Sequence, residues 1–215
     1  MQPDLGMAVL ISLVTGVQYF VAGLSLKVIF IMLSLFLLLL YFSYLYLPHV
    51  SQRIEAFLGG SQTISYQVQK SLESYTQGSF FGKGPGEGAI KYALPDSHTD
   101  FIFAVAGEEF GTIFCIIVIF LITLIVARGF LNILRYHDSY AVYSSLGIIM
   151  YFALQSILNI GVTINLFPTK GVTLPLISYG GSSLLSSAIG MGIYLNLTRI
   201  AHKDKVRQEG VHIKY

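Results

Sequence analysis

The stretch from Ser97 to Gly111 reads Ser-His-Thr-Asp-Phe-Ile-Phe-Ala-Val-Ala-Gly-Glu-Glu-Phe-Gly, and it carries three carboxylates, Asp100, Glu108 and Glu109, into the head of a long apolar run. That run opens at Phe101 and continues to Ala127. At about 1.5 Å rise per residue, the paired glutamates sit about 10 to 13 Å past its start. An acidic side chain at the middle of a bilayer costs about 2.5 to 3.5 kcal/mol, so two adjacent ones are expected to be paired or put to use. For Glu108 and Glu109, pairing with an internal basic residue and direct chemistry both stay open. Asp100, which follows Thr99 at the mouth of the run, also has two readings: a cap held by the positive end of the next helix dipole, or catalysis. The dipole is expected to lower the Asp100 pKa and keep the group ionised.

A second stretch runs from Phe167 to Ser183 and reads Phe-Pro-Thr-Lys-Gly-Val-Thr-Leu-Pro-Leu-Ile-Ser-Tyr-Gly-Gly-Ser-Ser. Its prolines and glycines exclude a continuous helix. Irregular backbone at membrane depth is tolerated only where protein or a wet cavity surrounds it, so this apolar segment is expected to line a cavity. Gly180, Gly181, Ser182 and Ser183 then open the last apolar segment. Such an opening is either an ordinary cap or a helix N-terminus with close backbone access for a phosphate.

Other chemistries find little support. The cluster Gly82-Lys83-Gly84-Pro85-Gly86-Glu87-Gly88 has no strand before it and no Gly-Lys-Ser/Thr leading into a helix, which excludes a nucleotide-binding loop. His49, His98, His137, His202 and His212 are dispersed, and His98 with Asp100 alone is a weak metal signal. No nucleophile elbow or Cys/His pairing points to acyl transfer. The single cysteine, Cys115, lies inside an apolar segment and reads as a small packing residue.

These residues must be positioned by membrane helices. The 215-residue chain is 54% hydrophobic and only 11% charged, with a mean hydropathy of +0.69, against about a quarter charged in soluble domains. Five segments are long enough to span a bilayer: 5–24, 28–47, 101–127, 141–162 and 182–200. All read as helices of one all-α polytopic bundle, because a helix satisfies its own backbone in lipid and no alternating barrel pattern occurs. The first lacks a basic n-region and a cleavage site, so no cleaved signal peptide is expected. Lys27, Arg128 and Arg135 fall in two turns on one side, and Arg199, Lys203, Lys205, Arg207 and Lys214 join them if five spans alternate. That side is expected to be cytoplasmic, leaving the 48–100 loop and the 163–181 loop outside. With no tryptophan, the interfacial belt falls to tyrosines such as Tyr19, Tyr41, Tyr44 and Tyr46. The net charge of +2 is dispersed and carries no nucleic-acid signal.

The 48–100 loop is too long for a simple connector. Ile64, Val68, Leu72 and Tyr75 recur at helical spacing, predicting an amphipathic helix on the membrane or on the bundle, with loop packing as the alternative. The glycine cluster after it is expected to bend the chain back towards Asp100.

His98-Thr99-Asp100-Phe101-Ile102-Phe103-Ala104 through Gly107-Glu108-Glu109, the run from Pro168 to Ser183, and the opening Gln2-Pro3-Asp4-Leu5-Gly6 together resemble the SEDS family of bacterial cell-wall polymerases. The Thr169 to Tyr179 wording is closer to its division branch than to its elongation branch. The resemblance covers nearly the whole chain, which looks like the C-terminal half of a fold of about ten spans; a split or truncated gene product is expected. It implies a peptidoglycan glycosyltransferase that polymerises lipid II with release of undecaprenyl pyrophosphate, forming a β-1,4 bond with inversion during septal wall synthesis. It maps an essential aspartate onto Asp100, and it places substrate near His98, Thr99, Glu108, Glu109, Lys170, Ser178, Tyr179, Gly180, Gly181, Ser182 and Ser183. The leaving pyrophosphate needs positive potential, which Lys170, the helix opening at Ser182 or a divalent cation (Mg or Mn) could supply. The implied partners are lipid II, the undecaprenyl-linked glycan, a class B penicillin-binding protein, other division membrane proteins and a separate N-terminal half, in the bacterial cytoplasmic membrane at the septum. A lipid II flippase using the three carboxylates as a polar path, or a non-catalytic scaffold for a transpeptidase, are the alternative functions.

Overall fold

The computed structural model describes residues 5–58, 66–136, 138–168 and 171–212. All regular structure among them is helical: α1 (Leu5–Val21), α2 (Leu26–Tyr46), α3 (Pro48–Leu58), α4 (Tyr66–Gly78), α5 (Ile102–Ile133), α6 (Ser139–Thr163) and α7 (Gly181–His212), with one 3₁₀ turn at Ile90–Tyr92. Three helices, α2, α5 and α6, are long and apolar enough to cross a membrane. Of the other expected spans, α1 offers the shorter apolar helix Gly6–Val21, and α7 continues as helix past Ile200 to His212. Gly23, at φ 85°, turns the chain from α1 into α2.

α6 is the central helix. It packs against α1, α4, α5 and α7, and its buried face carries Ser145, Gln155, Ser156, Asn159 and Thr163 among apolar residues. Enclosure satisfies part of that polar content: Gln155 and Asn159 donate to loop carbonyls and Ser156 and Thr163 donate to carbonyls of α6 itself, while Ser145 Oγ has no hydrogen-bond partner among the described residues. Asp138 caps its N-terminus by accepting a 3.0 Å hydrogen bond from the Ala141 N–H. At that end Gln18 of α1 donates to the Tyr143 carbonyl, and Ile133, Leu146, Ile149 and Tyr194 join α5, α6 and α7 in one apolar cluster. The α5–α6 approach is close because Gly129 has no side chain: a Cβ there would lie 2.7 Å from Ile149 Cδ1. α2 buries no residue. Its apolar surface belongs to lipid or to further helices.

α4 realises the predicted amphipathic helix and lies on the bundle, against α5 and α6. Its buried face is made of small side chains, Val68, Ser71, Ser74 and Gly78. Ser71 donates to the Thr163 carbonyl at 2.7 Å, and the Tyr75 hydroxyl hydrogen-bonds Thr163 Oγ1 at 2.8 Å. Small residues let the backbones meet; a Cβ on Gly78 would fall 1.9 Å from the Gly107 carbonyl oxygen. Ile64 of the predicted pattern lies outside the described residues.

α5 differs most from expectation. Gly111, at φ 81° and ψ 176°, breaks it. Residues 102–110 form a short helix, and 112–133 form a straight run of about 33 Å at about 1.5 Å per residue, enough by itself for a hydrocarbon core. The glutamates therefore precede this spanning portion instead of lying within it.

Candidate active site at the Asp100 loop

The two distinctive stretches meet at one end of the bundle. Tyr179 N–H donates to the His98 carbonyl at 2.9 Å. Ser178 Oγ donates to the Thr99 carbonyl at 2.6 Å and accepts from the Leu174 N–H at 2.7 Å. Asn159, on α6, reaches both: its Nδ2 donates to the Asp100 carbonyl at 2.8 Å and to the Val172 carbonyl at 2.6 Å. One turn earlier, Gln155 Nε2 donates to the Thr173 carbonyl and to Thr173 Oγ1, and Thr173 Oγ1 hydrogen-bonds Ser183 Oγ at 2.6 Å. With both amide nitrogens committed, Asn159 Oδ1 and Gln155 Oε1 remain buried acceptors without a hydrogen-bond partner among the described residues.

Beside this junction lies an open cleft of about 510 Å³, lined by His98, Ile102, Leu176, Ile177, Tyr179 and Gly181 among others. Leu176 adopts a left-handed φ of 65°, a conformation that costs a branched residue about 1 to 3 kcal/mol and is held by its surroundings. Tyr179 is tied down through its backbone, while its ring is 79% exposed.

Along the chain, Asp100 falls between two of the cleft residues, His98 and Ile102. It does not cap α5: the N-cap is Phe101, with no side-chain capping bond. The Asp100 carboxylate makes no hydrogen bond among the described residues, and its Oδ2 lies 3.3 Å from where a Cβ on Gly171 would stand. Burial, then the charge of Asp96, push its pKa up to about 6. This corrects the expected lowering by the helix dipole, because desolvation is the larger effect here. Asp96 is held at φ 55°, and its carbonyl accepts from Thr99 N–H, Thr99 Oγ1 and Phe101 N–H.

Glu108 and Glu109 face the other way along the loop. The Glu108 side chain is 0% exposed and accepts from the Ala89 N–H (2.9 Å), the Ile90 N–H (3.2 Å) and Lys83 Nζ (3.3 Å). Glu109 pairs with Lys91 at 2.7 Å. Backbone bonds from Lys83 N–H and Gly84 N–H to the Glu108 and Glu109 carbonyls complete a clasp on the glycine-rich loop. Gly82 belongs there because a Cβ would come within 2.2 Å of the Glu109 carbonyl oxygen. Of the two readings the sequence left open for this pair, the geometry displays internal pairing.

Of the other predicted site residues, Ser178 and Ser183 spend their hydroxyls on the junction, while His98, Gly180 and Gly181 line the cleft. Thr99 contributes its carbonyl, and Ser182 lies exposed in the first turn of α7. Lys170 falls outside the described residues. Among the described residues no three His, Cys, Asp or Glu side chains converge on a possible metal position. Asn159, Gln155 and Asp96 escaped the sequence reading; the signal was available in the two amides, spaced i and i+4 inside an apolar span.

Fold and site together define an all-α, multi-pass membrane protein with an acidic loop site at one end of its bundle. The chain belongs to the FtsW/RodA/SpoVE family of cell cycle proteins, whose model matches residues 1–203. It is 38% identical over 198 residues to the probable peptidoglycan glycosyltransferase FtsW of Caulobacter vibrioides, covering 92% of this chain and 51% of that protein. The corresponding protein of Trichlorobacter lovleyi is 40% identical over 203 residues, 92% of this chain and 53% of its own length. The chain thus spans about half the length of the curated relatives it matches. Among solved structures, one described as structural coordination of polymerization and crosslinking by a peptidoglycan synthase complex aligns with TM-score 0.71 and 28% identity over 93% of this chain and 57% of that one. An aspartate-to-alanine mutant of the Thermus thermophilus rod shape determining protein RodA aligns with TM-score 0.60 and 27% identity, covering 93% and 51%.

Proposed function

We propose that this chain supplies the base-bearing site of a peptidoglycan glycosyltransferase that polymerises lipid II in septal wall synthesis. The observation that carries this reading is the Asp100 carboxylate: half-buried beside a cleft, without a hydrogen-bond partner among the described residues, and raised to about 6. A sugar hydroxyl is a weak nucleophile whose proton must leave as it attacks. A carboxylate with that pKa is mostly ionised at neutral pH and more basic than an ordinary aspartate.

In this reading the 4-hydroxyl of lipid II donates its proton to Asp100 as its oxygen bonds the anomeric carbon of the growing glycan. The bond from that carbon to undecaprenyl pyrophosphate breaks, and the pyrophosphate keeps the electron pair. His98, Thr99 and the Tyr179 ring meet the sugars at the cleft. Gly180, Gly181, Ser182 and Ser183 bring the α7 N-terminus towards the pyrophosphate, with Lys170 as its cationic partner. Any Mg or Mn enters as a counterion of the substrate pyrophosphate. Ser178, Glu108 and Glu109 serve by holding the loops that carry these groups. A class B penicillin-binding protein, other division membrane proteins and a protein carrying the family's N-terminal half are the partners, at the septal cytoplasmic membrane.

Conversion of labelled lipid II by the chain, co-expressed with an N-terminal half from a relative, tests the reading. Covalent glycan that is lost in Asp100→Asn supports transfer. Lipid II that crosses the bilayer with no covalent product would instead establish a transporter, a function for which the clasped Glu108 and Glu109 make a poor polar path. Unchanged polymer yield and donor affinity in Lys170→Ala would remove Lys170 from the scheme.

A further inference from the structure

α6 carries two buried amides one turn apart, and each holds a different part of the site. Gln155 and Asn159 are 4% and 1% exposed, and at i and i+4 they share one face of the helix. Asn159 holds the base side, its Nδ2 donating to the Asp100 and Val172 carbonyls. Gln155 takes the next residue of the loop, donating to the Thr173 carbonyl at 3.0 Å and to Thr173 Oγ1 at 3.3 Å.

Thr173 passes this hold on to α7. Its hydroxyl shares a 2.6 Å hydrogen bond with Ser183 Oγ, in the first turn of α7, where the Leu184 N–H donates to the Gly180 carbonyl at 2.8 Å. Its methyl lies against the same turn: a Cβ on Gly180 would stand 3.5 Å from Ser183 Cβ and 3.9 Å from Thr173 Cγ2. The Asp100 loop is joined to the segment before α7 by other bonds, from Ser178 Oγ to the Thr99 carbonyl and from the Tyr179 N–H to the His98 carbonyl. Loss of the Thr173 hydroxyl therefore removes the polar hold on the first turn of α7, while Asn159, Ser178 and Tyr179 still hold the Asp100 loop.

We propose that Gln155, acting through Thr173, is the positioning residue for the leaving-group side of the site. The inference rests on the glycosyl-transfer reading, in which Asp100 takes the proton and the first turn of α7 meets the departing pyrophosphate. A displacement needs nucleophile and leaving group in line through the anomeric carbon, so its rate depends on how the two groups that serve them are placed relative to each other. Two anchors four residues apart on one helix, about 6 Å along its axis, hold them in a fixed relation. Gln155 touches no substrate in this account; it acts on where α7 begins.

The test is the kinetics of lipid II polymerisation by the full chain paired with an N-terminal half from a relative. Its variants are Thr173→Val, which keeps the methyl and loses the hydroxyl, Thr173→Ser, which keeps the hydroxyl, and Gln155→Leu. Thr173→Val and Gln155→Leu should each lower kcat by about 10- to 100-fold. The double variant should cost no more than the slower single one, because the two residues act through one link, and Thr173→Ser should recover most of the rate. The acid limb of the pH profile should stay at its native position throughout, since Asn159 still holds the Asp100 loop. A native kcat in Thr173→Val would overturn the inference, while an Asp100→Asn control that makes no polymer would keep the glycosyl-transfer reading. Costs that add in the double variant, an acid limb that moves, or a Thr173→Ser as slow as Thr173→Val would overturn it too, each marking general disruption of the junction. No polymer from the native pair would instead overturn the glycosyl-transfer reading itself, and the inference with it.

Discussion

The side-chain amide of Asn159 donates a 2.8 Å hydrogen bond to the backbone carbonyl of Asp100. The same nitrogen donates to the Val172 carbonyl, so one side chain on the central helix ties the acidic loop to the proline-glycine loop. Asn159→Ala leaves both carbonyls without this donor, a loss of about 1 to 3 kcal/mol for a buried group. If Asp100 is the base, the same change displaces it, and misplacement of that order lowers turnover by about 10²-fold. The expected outcome is a reduced kcat with little change in KM for lipid II, in a protein that still purifies as a folded species. A native kcat would mean that Asn159 only packs.

The acid limb of the reaction follows from the raised Asp100 pKa of about 6. A base must be ionised, so kcat is expected to be full above that value and to fall about tenfold per pH unit below it. Asp96→Asn removes the neighbouring negative charge that helps raise Asp100, and the limb should shift to lower pH. The stability sign is opposite to that of a salt-bridged aspartate. Because the folded pKa exceeds the unfolded value near 3.9, the folded state holds the proton more tightly between about pH 4 and 6. Stability therefore declines as pH rises through that window, and Asp100→Asn should be at least as stable as the native chain at neutral pH. Thermal denaturation of both proteins across pH measures this.

Much of this arrangement was legible in the sequence, for physical reasons that differ by element. Long apolar runs announced the helices because lipid admits little else. Glycine and proline marked the 171–180 loop as irregular because their backbones cannot continue a helix. The break at Gly111 was hidden, since a glycine inside an apolar run looks like tolerated helix until a neighbouring backbone, here that of Phe80 and Gly82, is seen to need the space. The partners of Glu108 were hidden too, because two are backbone N–H groups, which have no sequence signature. Asp100 was read as subject to a helix dipole, but Phe101 starts the helix and leaves the carboxylate to desolvation. Asn159 and Gln155 passed unnoticed among apolar neighbours, although buried amides in a span require partners.

Glu108 is expected to matter for the loop before it matters for chemistry. Glu108→Ala strands Lys83 and the N–H groups of Ala89 and Ile90, and removal of one partner from a buried pair typically costs about 3 to 5 kcal/mol. Limited trypsin digestion should then cut at Lys83 and Lys91 in the variant under conditions where the native loop is protected. Glu109→Ala, which removes a partly exposed pair, should increase cutting less. Equal protection in all three proteins would show that the clasp does not hold the loop.

The crossing of α4 on α5 gives a steric prediction. A methyl at Gly78 would lie 1.9 Å from the Gly107 carbonyl oxygen, and one at Gly107 would lie 2.5 Å from the Tyr75 ring. Because the first clash is with backbone, Gly78→Ala should lower stability by about 1 to 3 kcal/mol or more and expose α4 to protease. Gly107→Ala meets the Tyr75 ring, which is held by its hydroxyl bond to Thr163 and by Phe103, so it should also destabilise, with the loss falling on the Tyr75–Thr163 contact. Melting temperatures in detergent compare them.

The measurement that bears most directly on the central claim is glycan polymerisation from purified lipid II. It uses the chain with a matching N-terminal half and a class B transpeptidase, comparing native Asp100 with Asp100→Ala. Loss of a positioned base lowers such a rate by about 10² to 10⁴-fold, so the native assembly should make polymer and the variant almost none. Polymer at the native rate from Asp100→Ala would contradict the account.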